Sequence, residues 1–170
     1  MGVAPLNKLY AIMLTFYACV KQEYARAYHQ RLNGIASKCT NKALLIYAAL
    51  SCIFGPCIGF FDCYYDMTLH CTATALFVVG EVLYIFTVIG ILSACKAAFA
   101  GFESQINWLV QLRRGIVLLG AYTLGAKVFG YDIGIYSAII EWVLFITSFY
   151  IFAIFGSIMS YTDVLVAKQQ

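Results

Sequence analysis

The chain has 170 residues, of which 63% are apolar and only 11% charged, against about a quarter charged in an ordinary soluble domain. Too few polar groups are present to cover a surface in water, so the apolar surface belongs in lipid, where helices satisfy their own backbone groups. A net charge of +3 is too small to suggest a nucleic-acid partner.

A membrane-spanning helix needs about 17–25 mostly apolar residues, and five segments meet or approach that length. The first covers 5–20, bracketed by Lys8 and Lys21; it spans only if Lys8 snorkels towards a headgroup. The second covers 43–61 and contains Gly55-Pro56-Cys57-Ile58-Gly59. Pro56 removes a backbone donor and bends a helix. Gly55 and Gly59 form a G-x-x-x-G step that lets a second helix approach closely, unless they only accompany the bend. The third, 68–94, is long enough to span with tilt. The fourth covers 110–129, with Arg113 and Arg114 near its start, and the fifth covers 133–161, apolar apart from Glu141. The expected fold is an all-α polytopic membrane helix bundle: one domain, five spans, no internal repeat.

Orientation follows from the basic residues. The loop after the first span holds Lys21, Arg26, Arg31, Lys38 and Lys42. The connection around the start of span four holds Lys96, Arg113 and Arg114, and the C-terminal tail holds Lys168. The opposite side holds only Lys8 and Lys127. The positive-inside rule then puts the N-terminus in a lumen or outside, and the C-terminus in the cytosol. The basic loop from Lys21 to Lys42 is interleaved with Tyr24, Tyr28 and His29. Its simplest role is topological, although five basic residues at a bilayer also attract anionic lipids by about 1 kcal/mol each. Membrane lipids are the expected partners.

The seven cysteines make no C-x-x-C pair, and neither His29 nor His70 has ligand-like spacing to them. No metal or cofactor is expected on this pattern. Cys63 and Cys71 flank one short loop, and pair only if it faces an oxidising lumen. The N-terminus shows no cleavable signal or myristoylation motif, and the C-terminus no prenylation box. No Asn-x-Ser/Thr sequon occurs.

Three polar residues call for a reason. His70 falls at the lumenal mouth of span three, Glu81 near its middle, and Glu141 about two turns into span five. A carboxylate in the bilayer faces the bundle interior and finds a partner, or takes a proton. His70 and Glu81 are three helical turns apart, on one face but roughly 16 Å distant. Glu141 falls between them in depth, so the three can form a polar line in one internal cavity. That line is a binding site for a lipid headgroup or an ion, or each residue fixes helix packing by a hydrogen bond. Trp142 reads as packing. No G-x-S-x-G elbow or H-E-x-x-H helix is present, and no enzymatic activity is expected. A transporter would need a pair of broken helices, and no repeated pair is seen.

The stretch Asn41-Lys42-Ala43 through Ser51-Cys52, then Phe60-Phe61, His70, Phe77, Gly80, Leu83 and Tyr84, resembles the core of the damage-regulated autophagy modulator family. So do Glu141-Trp142, Ser148-Phe149 and Tyr161-Thr162-Asp163. That family includes the Golgi factor for GPI-anchor lipid remodelling. The resemblance covers the chain from Lys38 onward and does not reach Glu81. It implies a non-enzymatic regulator or adaptor in autophagy or lysosomal membranes. It also leaves open GPI-anchor remodelling in the Golgi, with a headgroup near His70 and Glu141. A small-solute or ion transporter using Glu81 and Glu141 is a third reading. Family members carry six spans and a lumenal motif after the first. Here the first span corresponds to their second, in agreement with a lumenal N-terminus, in a truncated or a divergent five-span member.

Overall fold

The computed structural model describes residues 4–61, 66–130, 143, 146–158 and 160. The elements are α1 (Ala4–Arg31), α2 (Lys38–Phe60), α3 (Met67–Ala94), a short 3-10 turn (Lys96–Phe99) and α4 (Glu103–Val128). An apolar helix, α5, covers Ile146–Ile158. No strand occurs among the described residues, and the all-helical class expected from composition is the one these residues form. Two of the helices, α2 and α3, are long and apolar enough to cross a membrane. The chain divides into two compact units, Met1–Val88 and Ile89–Gln170.

In the first unit α1 and α2 form an antiparallel pair, since contact partners rise along α1 as they fall along α2. Gly59 faces Ala11 so closely that a Cβ there would overlap the Ala11 backbone. Cys52 Sγ donates to the Ala18 carbonyl at 3.3 Å, and Asn41 Nδ2 donates to the His29 carbonyl at 2.9 Å. His29 returns the bond from Nδ1 to the Asn41 carbonyl at 3.1 Å, and Asn41 Nδ2 also reaches Asn33 Oδ1 at 3.2 Å. These reciprocal bonds clamp the ends of the two helices across the turn. The turn itself needs Gly34, whose φ of 91° lies in the left-handed region. Ser37 caps α2 by accepting the Thr40 amide at 3.1 Å.

Helix α3 packs on α2 through small residues. A Cβ on Gly80 would lie 2.9 Å from the Ser51 amide nitrogen, and one on Gly55 would lie 3.3 Å from the Phe77 ring. Gly55 and Gly59 therefore each admit a neighbour, from α3 and α1 respectively. Asp66 caps α3, its Oδ1 accepting the Leu69 amide at 2.9 Å.

Helix α1 runs past the end expected at residue 20. The reason is periodic. Ala11, Leu14, Tyr17, Ala18, Lys21, Ala25 and Tyr28 are all buried, and this inward stripe keeps the helical spacing straight through Lys21. Charge interrupts the apolar run there without interrupting the amphipathic face. On the opposite face Leu9, Ile12, Met13, Phe16, Val20 and Tyr24 are exposed.

In the second unit α4 starts at Glu103, earlier than the span expected over 110–129. Ile106 and Leu109 are fully buried, as is Phe99 of the 3-10 turn, so the polar first half of α4 has a packed side of its own. Lys96 Nζ donates to Asn107 Oδ1 at 2.7 Å. The Gly101 amide donates to both oxygens of Glu103, at 3.1 and 3.0 Å. Backbone amides, Glu103's own first and then that of Gly101, hold its carboxyl below the usual carboxylate range. In α5, Ser148, Ile151, Phe155 and Ile158 are buried while Ile146, Phe149 and Tyr150 are exposed. Most of the rest of the expected fifth span, and Cys63, lie outside the described residues.

Candidate functional site

Three helices of the first unit bring their polar residues to one point. Lys21 of α1 projects from the inward stripe, with its side chain 0% exposed. Opposite it, Glu81 of α3 has a side chain 5% exposed. Their ammonium and carboxylate form a hydrogen-bonded ion pair. The close approach of α2 and α3 at Gly80 puts Glu81, the next residue, within reach.

The remaining valences are filled locally. Lys21 Nζ donates to Ser51 Oγ of α2 at 2.5 Å, and the Ser51 hydroxyl donates onward to the Ala48 carbonyl at 3.0 Å. The Tyr17 hydroxyl donates to both Glu81 oxygens, at 3.2 and 3.3 Å. The Lys21 ammonium also stands 4.7 Å from the centre of the Tyr84 ring and 5.8 Å from that of Tyr17, inside cation–π range. Each charge thus meets an opposite charge, a hydroxyl and, for the cation, two aromatic faces. That combination lets an ion pair persist away from water.

Of the residues singled out in the sequence, Glu81 stands at the centre of this cluster. His70 does not join it. Half-buried in the first turn of α3, His70 donates from Nδ1 to the Phe61 carbonyl at 2.8 Å, and so ties the end of α2 to the start of α3. Glu141 and Trp142 lie outside the described residues. Sequence reasoning missed Lys21, which it counted among the loop cations. It also missed Tyr17, Ser51 and Tyr84 as partners of Glu81. The signal available was the spacing of Lys21 from Leu14, Tyr17 and Ala25, which places it on the inward face once α1 is allowed to continue.

Chemically the cluster is a sealed dipole that ties α1, α2 and α3 together. No family model, no curated protein and no solved structure matches the chain, so the meaning of the Lys21–Ser51–Glu81 arrangement has to come from its own geometry.

Proposed function

We propose that the chain is a five-span membrane protein of endomembranes, in the lysosome or the Golgi, with a lumenal N-terminus and a cytosolic C-terminus. Its role on this reading is that of a non-enzymatic regulator or adaptor in autophagy or lysosomal membrane function. The observation that carries it is the closure of the Lys21–Glu81 cluster. A site that takes a headgroup or an ion from the lumen needs polar groups facing an opening. Here Glu81 is engaged by Lys21 and Tyr17 inside the helix contact, which suits a rigid platform for other proteins.

Three further observations support the membrane reading. The helices α2 and α3 supply two apolar segments of spanning length. Helix α1 adds an outward apolar face from Leu9 to Val20, roughly 17 Å along its axis, with Lys8 beyond one end and the exposed Glu23–Arg26 pair beyond the other. With Lys21 withdrawn to the interior, Arg26, Arg31, Lys38, Lys42, Lys96, Arg113, Arg114 and Lys168 still outweigh Lys8 and Lys127. The resemblance to the autophagy modulator family supplies the biological role.

Localisation of the full-length, C-terminally tagged protein, with protease protection of the tag, tests the reading. A lysosomal signal, a cytosolic tag and altered autophagic flux on deletion are expected. A Golgi signal with changed lipid composition of GPI-anchored proteins would replace this role with anchor remodelling. Substrate uptake in proteoliposomes would replace it with transport.

A further inference from the structure

Between Lys8 and Lys21 the first helix offers only twelve uncharged residues, about 18 Å of helix, against a hydrocarbon core of about 30 Å. By itself this segment is too short to cross. The structure lengthens it by hiding Lys21. The ammonium turns to the inward face and pairs with Glu81 of α3, so that after Lys8 the first charge on the outward face is the exposed Glu23, paired with Arg26. Lipid meets Leu9, Ile12, Met13, Phe16 and Val20, and never meets the charge.

We propose that Glu81 is the residue that makes α1 a membrane span: α1 enters the bilayer as a dependent of α3, and its outward face is a surface for lipid acyl chains only while the Lys21–Glu81 pair is intact. The inference rests on the five-span reading with a lumenal N-terminus. Continuity of apolar surface points to lipid as the occupant. Ile46, Ile53 and Phe60 of α2 and Leu69, Val79 and Leu83 of α3 are exposed in the same unit. Antiparallel packing of α1 on α2 puts the two helices at matching depths.

The dependence is one-sided. Without Glu81, Lys21 is a cation with no carboxylate inside the membrane, and its escape to the cytosolic surface draws α1 out. Without Lys21, α1 gains an apolar residue and stays, while the carboxylate of α3 keeps the bonds it accepts from the Tyr17 hydroxyl. A purely structural role for the pair would give equal losses from either side.

The test uses the full chain with a glycosylation acceptor in an N-terminal extension and a C-terminal protease-sensitive tag, synthesised into microsomes. Four proteins are compared: unmodified, Glu81→Leu, Lys21→Leu and the double variant. Expected is glycosylation of the unmodified chain, of Lys21→Leu and of the double variant, with the glycosylated-to-unglycosylated ratio of Glu81→Leu lower by about tenfold or more. Rescue in the double variant distinguishes release of α1 from general misfolding. Equal glycosylation of all four overturns the dependence and leaves the topology standing, and equal loss in both single variants overturns it in favour of packing. An unglycosylated N-terminus in the unmodified chain overturns the topology, and the dependence with it.

Discussion

Helices α1 and α4 look alike in the sequence. They have 28 and 26 residues, each carries basic residues well inside its length, and neither is among the helices apolar enough to pass as a span by composition. The structure treats their cations in opposite ways. Lys21 is turned inward and bound to a carboxylate. Arg114 is exposed and donates to Gln111 Oε1, one turn back, at 3.3 Å, while its neighbour Arg113 is half-buried. A cation within a helix next to lipid costs about 2.5–3.5 kcal/mol at the bilayer centre, and the cost falls away if the charge is neutralised or kept near water. Hydropathy averages cannot tell these solutions apart, because the difference lies in what stands opposite the cation.

The comparison breaks if removing the partner of Lys21 is no worse than removing Arg114. Glu81→Leu leaves a buried ammonium whose carboxylate is gone, a change that typically costs about 3–5 kcal/mol. Arg114→Leu alters an exposed side chain and should stay within about 0.5 kcal/mol. Thermal unfolding in detergent is expected to separate the two plainly, with the double variant Lys21→Leu/Glu81→Leu recovering most of the loss. Equal melting temperatures for Glu81→Leu and the unmodified protein would remove the pair from any account of stability.

Glycines sharpen the same contrast one step down in size. Gly59 of α2 admits the Ala11 backbone of α1, so Gly59→Ala forces the helices apart at an expected cost of about 1–3 kcal/mol. Gly115 of α4 has nothing near its Cβ position and an ordinary helical φ. Gly115→Ala should therefore stabilise by up to about 1 kcal/mol through helix propensity alone. Opposite signs in a melting assay are the expected outcome.

Much of the helical class was legible because apolar runs of spanning length announce themselves: the expected 43–61 and 68–94 differ from α2 and α3 only at their ends. The end of α1 was not legible from the run of apolar residues. Lys21 closes that run, yet Ala25 and Tyr28 continue the buried face beyond it. For the site, Glu81 was legible as a carboxylate in want of a partner, because lipid makes an isolated one costly. The partner was not, since pairing Lys21 with Glu81 requires knowing that Gly80 brings α3 against Ser51, a fact of packing and not of spacing along the chain. His70 shows the reverse. Depth and face were compatible with a polar line, whereas the bond its Nδ1 donates to the Phe61 carbonyl at 2.8 Å depends on how the chain turns between α2 and α3.

The clamp between α1 and α2 gives an effect of about 1–2 kcal/mol. Asn41 is buried and its amide nitrogen spans His29 and Asn33. Asn41→Ala removes both bonds and leaves the His29 carbonyl without this donor, a loss in the usual range for a buried hydrogen bond. Hydrogen exchange should rise at the α1–α2 turn and leave α4 unchanged.

The smallest effect concerns the second acid in the comparison. Glu103 is fully exposed at the start of α4, where Glu81 is sealed, and its carboxylate is held by the backbone amides of its own residue and of Gly101. Because the folded form binds its proton more weakly than the unfolded chain does, whatever Glu103 contributes is present above the ordinary glutamate pKa. It is lost as pH falls through the lowered folded value. Acid should therefore loosen the 101–103 turn first, with the Gly101 amide resonance titrating below the ordinary glutamate range. In Glu103→Gln that titration should vanish while the buried Ile106 and Leu109, about one and two turns on, keep their environment. A Gly101 shift that persists in the variant would assign the acid response to another group, and an Ile106 that moves with it would mean the first turn of α4 does not fray on its own.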